Sequence, residues 1–289
     1  MAKKMEEGYG TKVLMNVVDA DHVDLSEFSE EKAKETRRFH ESIPVYNRTP
    51  LVHLRRLGEK LGVKGIYVKN EAERFGMKAF KGLGGTYAMF RILCRELGLD
   101  PEKVDFSEFQ KKETREKTAK YTFVTATDGN HGKGVSWASG LFGARAYVYM
   151  PKGTVKAREE AVRQAGPAEV TVTDWNYDDT VKYAKKMSEE HGWFLIQDTS
   201  WDGYEEIPGW IMEGYLTMAS EAAEQIEALG AIPTHVFLQA GVGSMAGAVA
   251  GYLVNHYGKK APKFLIVEPD VADCIFKSGE AGELRSVDG

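Results

Sequence analysis

Short runs rich in β-branched and aromatic residues alternate with amphipathic stretches along most of this chain, and the amphipathic stretches end at glycines. The strand-like runs are 65–70, 121–127, 145–151, 169–174, 193–199, 234–240 and 263–269. Between them lie helical patterns at 83–97, 131–142, 154–165, 177–191, 208–229 and 244–257, stopped by Gly98, Gly143, Gly166, Gly192, Gly230 and Gly258. Such alternation predicts an α/β fold, a mostly parallel twisted sheet with helices on both faces. Ligands then bind beyond the carboxyl ends of the strands, so function is sought in the loops there. Before this pattern begins, residues 1–45 are polar, with a helix expected over 26–41 capped by Ser26 or Ser29. Lys32 stands where a capping box needs Glu or Gln.

Composition narrows the partners. The chain has 289 residues, 43% hydrophobic and 28% charged, with a net charge of -5 and its cations dispersed, which argues against nucleic acid. No run has the apolar length of a membrane span, and MAKKMEEGYG lacks the apolar core of a secretory signal. Cys94 and Cys274 are far apart, so neither a disulfide framework nor a metal site is expected; a cytoplasmic setting is.

Three loops at strand ends are unusual. Gly241-Val242-Gly243-Ser244-Met245-Ala246-Gly247 joins a strand to an apolar helix. Its N–H groups suit a phosphate, since glycine lets the anion approach the helix N-terminus closely. A dinucleotide is the alternative: G-x-G-x-x-x-G misses the usual fingerprint by one residue, and Glu268 closes the next strand where a ribose-binding acid belongs. In the second loop, Thr127-Asp128-Gly129-Asn130-His131-Gly132, the opening N–H groups suit a carboxylate. Asn130 suits a ring hydroxyl and Asp128 suits proton transfer. His131 reads as structural. The third, RFGMKAFKGLGG (74–85), holds several cations. Lys81 stands out, beside Phe80 and at a helix start, a setting expected to lower its pKa as a Schiff-base lysine requires. Arg74 and Lys78 read as solvated neighbours.

A lysine, a phosphate cradle and a carboxylate-and-asparagine loop together suggest pyridoxal 5′-phosphate. Phe80-Lys81-Gly82-Leu83-Gly84-Gly85, Thr127 to Gly132 and Gln239 to Met245 resemble the fold-type II pyridoxal-phosphate enzymes. Within them the chain is similar to the diaminopropionate ammonia-lyases rather than the serine and threonine dehydratases, because Asp128 stands where dehydratases carry serine. YVYMPKG, TDWNYDDTV and QDTSWDGYEEIPGWIMEGY extend the likeness.

The resemblance implies that Lys81 bonds the cofactor and removes the α-proton of one substrate enantiomer, with Asp128 the base for the other. It places Asp198 on the substrate's distal amino group, and Thr127, Gly129 and His131 with Asp198 around the substrate. Phe80, Asn130, Gly241, Val242, Gly243, Ser244 and Met245 join Lys81 around the cofactor. The implied reaction converts 2,3-diaminopropionate to pyruvate and two ammonia. The alternatives are a serine/threonine dehydratase, a nicotinamide-dependent oxidoreductase or a non-catalytic amino-acid sensor. The implied organisation is two open, twisted, mostly parallel α/β domains, a large one from 1–85 and 200–289 that is incomplete at its C-terminus and a small mobile one from 86–199, in a homodimer. Family members continue beyond the position of Gly289, so the chain is expected to be truncated and, alone, weakly coloured by cofactor.

Overall fold

The computed structural model describes residues 5–8, 11–15, 23–285 and 287. Parts of the polar N-terminal stretch and of the terminal SVDG lie outside the described residues. An antiparallel pair, β1 (Met5–Gly8) and β2 (Thr11–Leu14), precedes helix α1 (Glu30–Glu41). A second antiparallel pair, β3 (Leu51–His53) and β4 (Tyr67–Lys69), encloses α2 (Arg55–Leu61) and leads through a tight turn to α3 (Lys81–Leu97) and α4 (Lys112–Thr118). Then come β5 (Thr122–Ala126), α5 (Asn130–Phe142), β6 (Arg145–Met150), α6 (Lys156–Ala165), β7 (Glu169–Val172), α7 (Tyr177–His191) and β8 (Phe194–Leu195). The chain continues through α8 (Glu206–Glu227), β9 (His235–Gln239), α9 (Ser244–Tyr257), β10 (Lys263–Val267) and α10 (Cys274–Ala281).

The parallel strands form two sheets: strand alternation alone points to one, whereas the two open α/β domains implied by the resemblance call for two. β7-β6-β5-β8 make a four-stranded parallel sheet, and β9 and β10 pair parallel by themselves. Every residue of β5 is buried, as expected of a central parallel strand covered on both faces. β8 is much shorter than its apolar run. The Ile196 N–H still donates to the Val124 carbonyl at 2.8 Å, and beyond it the ladder passes to a side chain, Gln197 Oε1 accepting the Ala126 N–H at 3.1 Å, just before Asp198.

Ser29 rather than Ser26 caps α1, accepting the Lys32 N–H at 3.2 Å. Gly98, Gly143 and Gly192 end their helices in the left-handed conformation, whereas Gly166 is extended.

The core places α3, which begins at Lys81, against α8 and α5. Gly84 and Gly214 bring α3 and α8 to backbone contact: a Cβ on Gly214 would lie 2.6 Å from the Leu83 carbonyl oxygen. Buried His40 on α1 bridges both helices, with Nδ1 2.7 Å from Thr217 Oγ1 and Nε2 3.0 Å from the Leu83 carbonyl. Burial and the nearby Arg74 charge lower its pKa to about 3, so this histidine is neutral.

Candidate active site

The turn before Lys81 is set by a buried charge cluster. Arg74 is fully buried, which corrects the expectation of a solvated neighbour. Its Nε and Nη2 donate to Glu71 at 2.8 Å, and Nη1 and Nη2 donate to Glu221 of α8 at 2.9 and 2.8 Å. The Asn47 carbonyl and Thr49 Oγ1, each at 3.0 Å, take the remaining bonds. Lys69 joins Glu221 at 2.5 Å, so two cations balance two carboxylates and the buried charge is compensated. From this anchor the chain passes through Phe75 and Lys78, non-glycine residues with φ of 51° and 57°. Lys78 is exposed, as expected. A second brace comes from α5, where Lys133 Nζ donates to the Met77 carbonyl at 2.8 Å.

Lys81 Nζ is ion-paired to Asp198 Oδ2, a contact between residues far apart in the chain. Phe80 packs edge-on to Tyr215 at 5.3 Å between centroids, and the Lys81 ammonium lies 5.6 Å from the Phe80 ring centroid. The expected lowering of the lysine pKa is overturned. Burial does favour the neutral amine, but the Tyr215 hydroxyl and the Asp198 carboxylate outweigh it and hold the pKa above its ordinary value. The carboxylate of Asp198 is itself buried. That alone would raise its pKa, yet His131 and the Lys81 ammonium keep it below the usual range.

Asp198 is where the three loops meet. Beside its bond to Lys81, its carboxylate lies 3.8 Å from His131 Nδ1, and its carbonyl accepts Ser244 Oγ at 2.5 Å. His131 is buried, with Nε2 2.8 Å from the Ile196 carbonyl.

In the second loop, Thr127 Oγ1 accepts the N–H groups of Gly129 at 3.0 Å and Gly132 at 3.1 Å. Those two N–H groups are thereby occupied, so a substrate carboxylate is left with fewer donors at this helix start than the sequence suggested. Asp128 and Asn130 are exposed and line a pocket with Gly129, Lys133, Arg158 and Ala161.

The third loop can hold an anion. Gly243 has φ +93°, a conformation that favours glycine, and a Cβ on Gly241 would meet nothing within 4 Å. Among the described residues no protein acceptor takes the N–H groups of Val242 to Met245. Three buried polar atoms around the lysine also lack hydrogen-bond partners: His131 Nδ1, Thr199 Oγ1 and Tyr215 Oη. A primary amine, an open N–H cradle and unsatisfied polar atoms fit an aldehyde-bearing aromatic phosphate such as pyridoxal phosphate. A nucleotide ribose is not fitted: the Glu268 carboxylate is occupied in capping α10, accepting Ile275 N–H at 2.9 Å and Phe276 N–H at 2.7 Å. Cys94 is buried, with its thiol pushed up to about 12, and is unsuited to redox chemistry.

Two residues at the site escaped the sequence reading. Tyr215 of α8 flanks Lys81, and burial first of all raises its hydroxyl to about 12. Tyr177 opens α7, and its hydroxyl accepts Gln197 Nε2 at 3.0 Å. Burial, then Asp198 and Asp128, raise its pKa, so it senses both carboxylates. Its signal was an aromatic directly after the cap Asn176, inside TDWNYDDTV.

Residues 43–289 match the sequence profile of the family described as pyridoxal-phosphate dependent enzyme. The diaminopropionate ammonia-lyase of Escherichia coli strain K12 is 50% identical over 262 residues, covering 91% of this chain and 65% of that protein. The solved holo diaminopropionate ammonia lyase from Escherichia coli superposes with a TM-score of 0.86 at 47% identity, covering 93% of this chain and 67% of that one. Its complex with D-serine gives 0.85 at 48% identity, covering 91% and 66%. A threonine dehydratase of Salmonella typhimurium is more distant, at 29% identity over 83% of this chain and 40% of its own length. The chain thus spans about 65% of the length of the curated lyases it matches. On its sequence, its fold and the fit of its site to the cofactor, the chain belongs to the pyridoxal-phosphate-dependent enzyme family.

Proposed function

We propose that the intact protein is an ammonia-lyase that converts 2,3-diaminopropionate and water to pyruvate and two ammonia. The observation that carries this reading is Asp198, a buried carboxylate within reach of the cofactor lysine and already holding an ammonium. A site of that charge is matched to a substrate with a second, distal amino group, which serine and threonine lack. The identity to diaminopropionate ammonia-lyases supports it, as does the structure of the Escherichia coli enzyme in complex with an aminoacrylate-PLP azomethine reaction intermediate, the product expected of β-elimination.

When bound, pyridoxal phosphate supplies an electron sink for the carbanion formed at Cα. The chain's residues do the rest. Lys81 provides the amine that bonds the cofactor aldehyde, and Val242 to Met245 offer N–H groups to its phosphate. Asn130 would hydrogen-bond the ring hydroxyl, and Phe80, next to Lys81, would help hold the ring. Lys81, as the neutral amine rather than the ammonium paired with Asp198, would take the α-proton of one enantiomer, while Asp128 would take that of the other. Thr127, Gly129 and His131 shape the substrate pocket, and Asp198 holds the distal ammonium.

Residues 86–199 form a small domain that closes over the substrate. Supporting this, the four-stranded sheet draws only on residues inside that span, flanked by large-domain parts at 1–85 and 200–289. A homodimer belongs to the same reading; the exposed Phe237, Ile266 and Val267 on the β9–β10 pair are apolar surface that a partner subunit or further chain would cover, since parallel sheets are ordinarily covered. A cytoplasmic setting is supported by the free cysteines, and among the described residues no helix is long and apolar enough to cross a membrane.

Stoichiometry tests the reaction. Two ammonia per pyruvate from diaminopropionate is expected. Faster turnover of serine or threonine, with one ammonia per keto acid, would assign a dehydratase instead.

A further inference from the structure

We infer that Arg158 is a positioning residue for Asp128, and therefore for the reaction of one substrate enantiomer only. Arg158 lies in the first turn of α6, and its Nη1 reaches two oxygens of Asp128, the carbonyl at 3.4 Å and Oδ2 at 3.5 Å. Its side-chain arm crosses the next residue: a Cβ on Gly129 would lie 3.7 Å from Arg158 Cδ. One guanidinium thus straps both the backbone and the side chain of the loop.

Local competition leaves Arg158 to this task. On α6 the Glu159 carboxylate is engaged by Lys156 at 3.2 Å and Arg163 at 3.0 Å, and Glu160 accepts Gln164 Nε2 at 2.9 Å. The carboxylates of the site are therefore divided, Asp198 with Lys81 and Asp128 with Arg158. Two bases that serve opposite faces of one Cα must stay apart, and Arg158 holds Asp128 on the α6 side. Both partners are well exposed, at 59% and 74% of the side chain, so the strap is a weak one and its loss lowers a rate rather than abolishing it.

This inference rests on Asp128 being the base for one enantiomer, so the experiment tests that reading in parallel. In the intact protein loaded with pyridoxal phosphate, D- and L-diaminopropionate are each assayed for kcat and KM in Asp128→Asn, Arg158→Met and Arg158→Lys. Asp128→Asn should abolish turnover of one enantiomer. Arg158→Met should lower kcat for that same enantiomer about three- to fivefold and leave the other within about twofold, with Arg158→Lys restoring most of the loss. A rise in KM for both enantiomers would make Arg158 a ligand of the carboxylate they share and overturn the proposal. Equal kcat effects on both, or no effect on either, would also overturn it while leaving the Asp128 reading intact. Should Asp128→Asn itself act equally on both, the base reading fails and the arginine proposal falls with it.

Discussion

Replacing Glu221 with glutamine would remove the carboxylate on which the turn before Lys81 is hung. Glu221 is fully buried and receives Arg74 at 2.9 and 2.8 Å and Lys69 at 2.5 Å. Burial alone would raise its pKa, but the hydrogen bonds and charge of Arg74, with Lys69, bring it from an ordinary 4.5 to about 2. A carboxyl displaced that far contributes ~3 kcal/mol to stability when ionised. That figure meets the lower end of the roughly 3–5 kcal/mol lost when one partner of a buried pair is removed. Because the folded pKa is depressed, this stability is fully present above pH 4.5 and fades as pH falls toward 2. Glu221→Gln should therefore lower the melting temperature at pH 7 by about 6–12 °C, taking roughly 2–4 °C per kcal/mol for a chain near this size. It should also flatten the acid limb of melting temperature against pH, measured by circular dichroism. A variant that melts with the wild type at pH 7, or keeps the same acid limb, would refute the account of Arg74 and Glu221 as a compensated buried lock.

Other outcomes follow from particular contacts. Asp198→Asn removes the charge proposed for the distal ammonium, so kcat/KM for diaminopropionate should fall about 10- to 100-fold while serine turnover falls far less, as steady-state kinetics on both substrates would show. His40, neutral in the fold with a pKa of about 3 against an ordinary 6.5, makes stability decline as pH drops from 6.5 toward 3, by ~5 kcal/mol. His40→Gln should abolish most of that slope in denaturant titrations across this range. Gly214→Val places a branched side chain where even a Cβ lies 2.6 Å from the Leu83 carbonyl, and should prevent soluble expression or lower the melting temperature by more than about 6 °C.

Much of the architecture was legible because it depends on local rules. The α7 and α9 boundaries fall where the glycines and the helical period put them, at Tyr177–His191 and Ser244–Tyr257. The three site loops were legible for the same reason, since each joins a strand end to a helix start. What escaped was long-range. The Lys81 pKa was misjudged from its own helix and Phe80, because the carboxylate that decides it is Asp198, 117 residues away. Arg74 looked solvated because neither Glu221, 147 residues on, nor the depth of the turn is written near it. Periodicity within a strand does not say which strands it pairs with, so alternation alone points to one sheet; it is the resemblance, with its two open α/β domains, that matches the two parallel sheets found. Glu268 was positioned for a ribose by its place after a strand, but α10, which it caps, had no strong sequence signal.

The central claim is that Lys81, among several lysines near these loops, carries the cofactor. Borohydride reduction of the intact protein loaded with pyridoxal phosphate, followed by peptide mass mapping, tests it directly. The account predicts a phosphopyridoxyl group on Lys81 and none in Lys81→Ala. The same modification on Lys69, Lys78 or Lys133, undiminished in Lys81→Ala, would contradict it.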